Sequence, residues 1–495
     1  MMDRKWWTLL ATCVAMFMLL LDITIVNVAL PEIQRDLDAS FSDLQWVIDA
    51  YSLTLAAFLL TAGVLGDRLG RRRVFAAGFA IFTVASLFCG LASSPTSLNV
   101  ARAVQGVGGA AMFATTLALI AQEFKGPERA TAFGIWGATV GGAVAIGPLV
   151  GGALTDALGW EWIFFVNVPI GLAAIALTLT RVAESRDRDA AGVDWPGVVT
   201  FSTALFLLIF GLVRGNSEGW SSTVIEASLA GSALLLAAFV VIELRSKQPM
   251  LDLSLFRKPA FVGVSAVAFA LSAGMFSMFL YITIYMQDNL GFAPLEAGVR
   301  FLPITLLSFF VAPIAGRLLN RIPARIFFGL GLGLVGTGLL LMRGLTVDSE
   351  WTALLAGFIV AGAGIGMVNP AIASTAVGVV SAAKAGMGSG INNTCRQVGI
   401  ATGIAGLGAV FQSGIADRLP ADAPSAAAEG IASSGTRAAE GGGPQAVDAA
   451  REAFVGSLNE ILLIAGLIAL AGALLGLLLT RDQDLVPQGP PETPE

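Results

Sequence analysis

Long apolar runs separated by short polar segments fill almost the whole chain. A helix needs about 20 apolar residues to cross the roughly 30 Å hydrocarbon core of a bilayer. Many of the runs reach that length, so we predict an all-α integral membrane protein with fourteen membrane-spanning helices. The predicted spans lie near residues 7–28, 45–65, 74–93, 99–121, 131–157, 162–181, 197–213, 223–243, 260–286, 298–319, 325–343, 352–374, 386–411 and 455–480.

A faint internal repeat divides these helices into two related halves. The segment TAGVLGDRLGRRR (61–73) aligns with VAPIAGRLLNRIP (311–323), which places Gly66 over Gly316 and Arg71 over Arg321. Such repeats are typical of transporter halves. We therefore predict four regions: an N-terminal six-helix bundle (1–181), two inserted helices with flanking loops (182–258), a C-terminal six-helix bundle (259–480) that includes a flexible outer loop (413–454), and a disordered cytoplasmic tail (481–495).

Composition supports a membrane protein and limits its chemistry. Charged residues make up 13% of the chain, against about 25% in an ordinary soluble domain. Basic residues concentrate in the segments on the side of the N-terminus, which predicts that both termini are cytoplasmic. They form no single basic patch, so no nucleic-acid partner is expected. The chain has no histidine, so any proton chemistry must use carboxylates.

Two charged residues lie deep inside apolar segments. Asp22 stands in LDITIVNVALP and Arg102 in RAVQGVGGAAM. A charge at the centre of a bilayer costs roughly 2.5–3.5 kcal/mol on insertion scales, so each side chain needs a partner or a cavity. Asp22 is therefore a candidate proton carrier, and the fixed charge of Arg102 would control when that proton binds. A purely structural ion pair is the alternative for both residues.

The loop after the second span, GVLGDRLGRRR (63–73), combines glycines with charges. The glycines at 63, 66 and 70 allow a close helix approach and a tight turn. Asp67 can accept hydrogen bonds from a helix N-terminus, or from Arg317 at the pseudo-equivalent position of the other half. The arginines that follow also fit a simple role as topology anchors.

Two further polar or glycine-rich patterns lie in predicted spans. Gly147, Pro148, Gly151 and Gly152 belong to GGAVAIGPLVGG (141–152), where they soften the helix and allow close packing at the domain interface. The second pattern is a set of polar residues in the otherwise apolar helices of the C-terminal half. It consists of Arg300, Asn369, Asn392, Asn393, Arg396 and Gln397.

These ordered motifs together resemble the major facilitator superfamily, and within it the fourteen-span drug:proton antiporters of the EmrB/QacA type. The resemblance implies that the 63–73 loop is a conformational latch and that the 141–152 stretch marks an exporter. It also makes Asp49, one turn inside the second span, a second proton site or a cation-attracting group; a solvated helix-start carboxylate is the alternative. Candidate latch residues are Gly63, Gly66, Asp67, Arg68, Gly70, Arg71 and Arg317.

The resemblance further implies a central substrate cavity, with Arg396 facing it. For Asn27 an interhelical hydrogen bond is the alternative role. The only acids between Arg300 and Phe411 are Asp348 and Glu350, which argues against divalent cationic compounds as substrates. Candidate cavity residues are Asn27, Trp136, Arg300, Asn369, Asn392, Asn393, Arg396 and Gln397.

Function follows as an expectation: a proton-coupled exporter of drugs, antibiotics or other lipophilic small molecules that works by alternating access. An exporter or importer of one metabolite is the alternative. A membrane enzyme or receptor is a third possibility, but no nucleophile, metal-site or nucleotide-binding motif supports it. We expect no metal and no cofactor. The expected surroundings are a bacterial plasma membrane, with the lipid bilayer, the substrate and protons as partners of a monomer.

Overall fold

Helices make up all the regular secondary structure in the residues that the structure describes. In this computed structural model those residues are 3–186, 193–246, 249–420 and 427–480. A helix satisfies its backbone hydrogen bonds internally, which is the condition for crossing hydrocarbon. The apolar runs of the sequence accordingly become long, packed helices.

The N-terminal half contains five long helices and a sixth that is broken near its start. Capping boxes begin two of them, where Ser40 and Ser94 each accept a hydrogen bond from the backbone three residues later. The helices are α1 (Arg4–Asp36), α2 (Phe41–Leu69), α3 (Arg71–Gly90), α4 (Pro95–Glu123), α5 (Gly126–Leu158), α6 (Trp162–Phe165) and α7 (Asn167–Arg181).

Two inserted helices, α8 (Trp195–Glu218) and α9 (Thr223–Arg245), precede the C-terminal half. In that half, π-helical turns at Ser272–Phe276 and Tyr285–Asn289 follow the first two helices. The helices are α10 (Pro259–Leu271), α11 (Ser277–Ile284), α12 (Pro294–Arg300), α13 (Leu302–Leu318), α14 (Ala324–Leu341), α15 (Leu355–Gly378), α16 (Ala385–Arg418), α17 (Ala427–Ser434) and α18 (Pro444–Leu479).

Twelve helical segments of the described residues are long and apolar enough to cross a membrane, so the predicted number of fourteen is not confirmed. The two predicted spans outside these twelve are 131–157, which lies in the 33-residue helix α5 but includes side chains outside the described residues, and 298–319. The latter span is shorter than predicted because the helix breaks at Phe301, and α13 then has 17 residues. Pro303 explains the break, since its ring cannot follow an undisturbed helical turn.

The predicted loop at 413–454 is helical over most of its described residues. Helix α16 continues to Arg418, α17 covers Ala427–Ser434, and α18 begins at Pro444. The segment is rich in alanine, the residue with the highest helix propensity, and Ile431 is buried against the core of the C-terminal half. Residues 421–426 and the predicted tail at 481–495 lie outside the described residues.

The two halves meet along two glycine-lined seams. In the first, between α2 and α16, Gly63 packs directly on the backbone of Gly386. In the second, between α5 and α13, a Cβ atom on Gly134 would lie 2.9 Å from the carbonyl oxygen of Ala312. Both contacts lie toward the end of the molecule that carries Arg71–Arg73, which we call the basic end. The structure is therefore closed at its basic end.

Helix α8 fills the groove beside the first seam. Its residues Phe201 and Leu205 belong to one buried cluster with Leu60 of α2 and Ile391 of α16. Asn216, near the end of α8, donates a hydrogen bond to the carbonyl oxygen of Ala405 at 3.1 Å. The inserted pair therefore contacts both halves of the molecule.

Candidate functional site

Asp22 of α1 and Arg102 of α4 form an ion pair inside the N-terminal half. Their residues are 2% and 1% exposed, and Arg102 Nη1 donates to Asp22 Oδ2 at 2.5 Å. Arg102 Nε donates to the carbonyl oxygen of Val47 at 3.0 Å, and the guanidinium carbon lies 4.3 Å from the centre of the Tyr51 ring. Each buried charge thus has the opposite charge as its first neighbour.

Amide side chains complete this network. Gln105 accepts from Arg102 Nη1 at 2.7 Å and donates to Asp22 Oδ1 at 2.8 Å. Asn167 of α7 donates to the Oγ of Ser86 at 3.1 Å and to Asp22 Oδ1 at 3.4 Å. The sequence analysis did not identify these three partners, and the only available signal was a polar residue in an apolar helix. The network joins α1, α2, α3, α4 and α7, and it lies within one half.

The chemistry open to this network is the exchange of one proton. With Asp22 ionised, the buried pair has no net charge, so its cost in a low-dielectric interior is reduced. A proton on Asp22 would remove the attraction to Arg102, which would keep its bonds to Val47 and Gln105. Protonation would therefore change how tightly α1 is held to α4.

Asp49 faces an inserted helix. Its Oδ2 lies 3.7 Å from Arg214 Nη1 of α8, and its side chain is mostly buried. Arg214 also donates to Gln45 at 2.9 Å and to Glu218 at 3.0 Å, and its guanidinium carbon lies 5.2 Å from the Trp46 ring. The sequence analysis missed Arg214 because it placed the end of this span at residue 213, whereas α8 continues to Glu218.

Asp67 connects the two halves at the basic end. Arg71 donates to its Oδ1 at 2.7 and 2.9 Å. The backbone N–H groups of Gly386 and Met387, in the first turn of α16, donate to its two oxygens at 2.9 and 2.8 Å. Arg71 itself donates to the carbonyl oxygens of residues 382 and 383. Of the two partners expected in the other half, the structure shows the helix N-terminus, and no ion pair links Asp67 to Arg317 in the described ranges.

The other latch residues shape the turn around Asp67. Gly70 has a φ of +115°, a conformation that favours glycine, and a Cβ atom there would lie 2.7 Å from the Glu184 carboxylate. A Cβ atom on Gly66 would lie 2.8 Å from the methyl group of Thr115. Arg68 Nη2 donates to the carbonyl oxygen of Pro249, in the segment between α9 and α10, at 3.1 Å.

The glycines at the two ends of the 141–152 stretch pack on different neighbours, and only its first part lies at the predicted domain interface. Gly147 packs on Thr24, and a Cβ atom on Gly151 would lie 3.2 Å from the Cα of Ile25, so both contact α1 within the N-terminal half. A Cβ atom on Gly152 would meet nothing within 4 Å. The contact of α5 with the other half runs from Gly134 to Gly141, where a Cβ atom would lie 3.3 Å from the carbonyl oxygen of Thr305. The side chain of Pro148 lies outside the described part of the structure.

A small cavity of about 30 Å³ lies between α5 and the C-terminal half. Most of its wall is apolar, and Asn369 of α15 contributes a polar group to it. Arg396 Nη2 donates to Asn369 Oδ1 at 2.5 Å. The lining residues are Val140, Gly141, Phe276, Phe279, Ile304, Thr305, Ser308, Ile365 and Asn369.

The other polar residues predicted on α16 lie near Arg396 in sequence. Asn392 and Asn393 are buried, and their Nδ2 atoms have no hydrogen-bond partner among the described residues. Gln397 is half-buried. The structure thus places Asn369 in the cavity wall and Arg396 directly behind it.

Three candidate cavity residues lie elsewhere or are not described. Trp136 is buried in the core of the N-terminal half. Arg300, at the end of α12, stacks over the ring of Phe292 at 3.5 Å and donates to the carbonyl oxygen of Glu296. The side chain of Asn27 lies outside the described part of the structure.

Comparisons with known proteins agree with this architecture. The model of the Major Facilitator Superfamily matches residues 12–404. Multidrug resistance protein Stp of Mycobacterium tuberculosis is 37% identical over 83% of this chain and 77% of its own. The tetracenomycin C resistance and export protein of Streptomyces glaucescens is 34% identical over 99% of this chain and 94% of its own.

A solved structure shows the same fold. The crystal structure of the human organic anion transporter MFSD10 (TETRAN) superimposes with a TM-score of 0.64 and 14% identity, covering 94% of this chain and all of that one. This shared fold agrees with the two helical halves, their seams and the family match over residues 12–404. The chain is therefore a multi-pass membrane protein that belongs to the major facilitator superfamily of transporters.

Proposed function

We propose that this protein is a proton-coupled secondary active exporter of drugs, antibiotics or other lipophilic small molecules. The observation that carries the proposal is the Asp67 bridge, which holds the two halves together at one end through contacts that can separate. Similarity to a tetracenomycin C resistance and export protein over 99% of the chain supports the direction and the substrate type.

Alternating access follows from the two seams. With the basic end closed, the cavity between α5 and the C-terminal half is separated from that side. Rocking the halves apart would break the bonds of Asp67 to Gly386 and Met387, and the cavity would open toward the basic end. A contact that forms in one state and breaks in the other biases the two states without touching the substrate.

Proton coupling is assigned to Asp22 and Arg102. Theirs is the most buried ion pair of the described residues, and its carboxylate is the group a proton would neutralise. Inward proton movement supplies about 2.3 kcal/mol per 100 mV of potential and about 1.36 kcal/mol per pH unit. One proton can therefore sustain a concentration ratio of tens to hundreds across the membrane. Asp49, with its longer contact to Arg214, is the second candidate.

We extend the proposal to topology and subfamily. Helix α5 has 33 residues, and α13 packs along it, so we infer that both cross the membrane and bring the spans to fourteen, as in antiporters of the EmrB/QacA type. The positive-inside rule then places the basic end and both termini in the cytoplasm. The functional unit is proposed to be a monomer, with its cavity enclosed by one chain.

The test is efflux from cells that express wild type or Asp22→Asn at equal levels, using a panel of lipophilic dyes and antibiotics with and without a protonophore. We expect export by wild type that the protonophore and the substitution both abolish. Export that survives the substitution would move the proton site, with Asp49 next. Accumulation of a tracer would favour an importer, and no movement of any compound would contradict the drug-export proposal.

A further inference from the structure

Arg396, in the membrane-spanning part, has no acidic partner among the described residues. Arg102 and Arg214 each form an ion pair with a carboxylate. Arg396, near the middle of the predicted span of α16, instead donates to the neutral amide oxygen of Asn369. It takes part in no ion pair within the part of the chain that the structure describes.

The helices α13, α14 and α15 supply no acid that could neutralise Arg396. Between Arg300 and Asp417 the only acidic residues are Asp348 and Glu350. Both precede α15, in the polar segment that connects it to α14. Helices α13, α14 and α15 thus bring no carboxylate into the interior beside Arg396.

This positive charge lies next to the cavity. Asn369 is part of the cavity wall and also accepts the hydrogen bond from Arg396. Much of the remaining wall is apolar, with Phe276, Phe279 and Ile365 among its members. An apolar wall screens charge poorly, so a ligand in the cavity would experience the field of the guanidinium far more strongly than in water.

We propose that the cavity selects lipophilic substrates that carry a negative charge, such as an aromatic body with a carboxylate or phenolate group, and that Arg396 supplies the counter-charge. A guanidinium matches a carboxylate in shape and can donate two parallel hydrogen bonds to it. The same charge disfavours cationic substrates. The inference rests on the proposed function and specifies its substrate class.

A transport signature follows from the charges that move. Exchange of one proton inward for one monoanion outward moves two positive charges inward in total, so the membrane potential acts on two charges in each cycle. Exchange for a monocation moves no net charge. Export of an anionic substrate should therefore respond more steeply to the potential than to an equal pH gradient.

The experiment compares two dyes of similar shape and opposite charge, fluorescein and rhodamine 123. Their binding to the purified full-length protein in nanodiscs is measured by fluorescence anisotropy at neutral pH. We expect wild type to bind fluorescein at least tenfold more tightly than rhodamine 123. Arg396→Gln should weaken fluorescein binding at least tenfold, Arg396→Lys should keep most of it, and Arg300→Gln should match wild type, because Arg300 lies at the end of α12 beside Phe292.

Three results would overturn the proposal: no fluorescein binding by wild type, equal or tighter binding of rhodamine 123, or unchanged fluorescein binding by a folded Arg396→Gln variant. These results are separable from failure of the exporter proposal. Proton-driven export of cations that is insensitive to Arg396 would refute only the substrate class. Arg396-dependent fluorescein binding without any proton-driven export would refute only the exporter.

Discussion

The α2–α16 seam makes a sharp prediction, because Gly63 has no space for a side chain. A Cβ atom at this position would collide with the carbonyl oxygen of Gly386 and lie 2.9 Å from its carbonyl carbon. It would also lie 3.4 Å from the Cα of Gly390. These neighbours are backbone atoms of a packed helix, so they cannot move aside as a flexible side chain would. Gly63→Ala should therefore push the two halves apart at the basic end.

The size of the effect follows from where the clash acts. Overpacking by a methyl group costs about 1–3 kcal/mol, and here the cost applies only to the state in which the basic end is closed. In the open state the seam is separated and the added methyl group meets no backbone. The helix propensity of alanine cancels, because it favours α2 in both states. The ratio of closed to open molecules should fall by roughly 5- to 150-fold.

Spin labels across the basic end can measure this ratio. Leu69 at the end of α2 and Ser381 before α16 are both exposed, so Leu69→Cys and Ser381→Cys in a background without Cys13, Cys89 and Cys395 form a suitable pair. Double electron–electron resonance should report a longer distance between the two labels in Gly63→Ala than in the labelled protein with Gly63.

Gly152→Ala is the matched control, since a Cβ atom there would meet nothing within 4 Å. It changes the same residue type in a long helix and should leave the distance distribution unchanged. Equal distributions for Gly63→Ala and Gly152→Ala would refute the reasoning. Proton-driven efflux should fall in Gly63→Ala alone, as an independent check on function.

Three other contacts give measurable outcomes. Asp22→Asn and Arg102→Gln should each lower the free energy of unfolding by about 3–5 kcal/mol, because each leaves one buried charge alone. The double variant should lose much less unfolding free energy than the sum of the two single losses. Additive losses in thermal unfolding would contradict the paired geometry. Asp67→Asn should weaken the charged hydrogen bonds to α16 and lengthen the spin-label distance at the basic end, with efflux reduced at least tenfold at equal expression; an unchanged distance would show that Asp67 does not hold the seam. Arg214→Gln should lower the unfolding free energy by about 1–3 kcal/mol, because it leaves the mostly buried Asp49 without its counter-charge. Thermal unfolding of this variant and of Asp49→Asn measures the effect. An unchanged melting temperature in both variants would argue against this contact.

Much of the fold could be predicted from the apolar runs, because a backbone in hydrocarbon must form helices. The prediction was less accurate where a local effect ended a helix or where a surface segment was ordered by packing. Pro303 divides the predicted span at 298–319. Ile431 gives the predicted loop an anchor against the core, which its composition of small residues does not reveal.

The candidate site was predictable where a single charge implied a partner. The cost of burying Asp22 and Arg102 pointed to a partner for each, and the structure pairs them. Gln105 and Asn167 could not be assigned because their contacts join segments far apart in the sequence. For Asp67 the sequence left two partners open, a helix N-terminus and Arg317. The first turn of α16 is the partner in the structure, together with Arg71, four residues away on the chain.

The position of α8 between the halves has a consequence for how a lipophilic molecule reaches the cavity. Its buried cluster with Leu60 and Ile391 covers the α2–α16 seam from the lipid side. The α5–α13 seam has no comparable cover from the inserted pair in the described residues. We therefore expect a compound dissolved in a leaflet to approach the cavity from the α5–α13 side rather than from the α2–α16 side, where α8 packs on the seam.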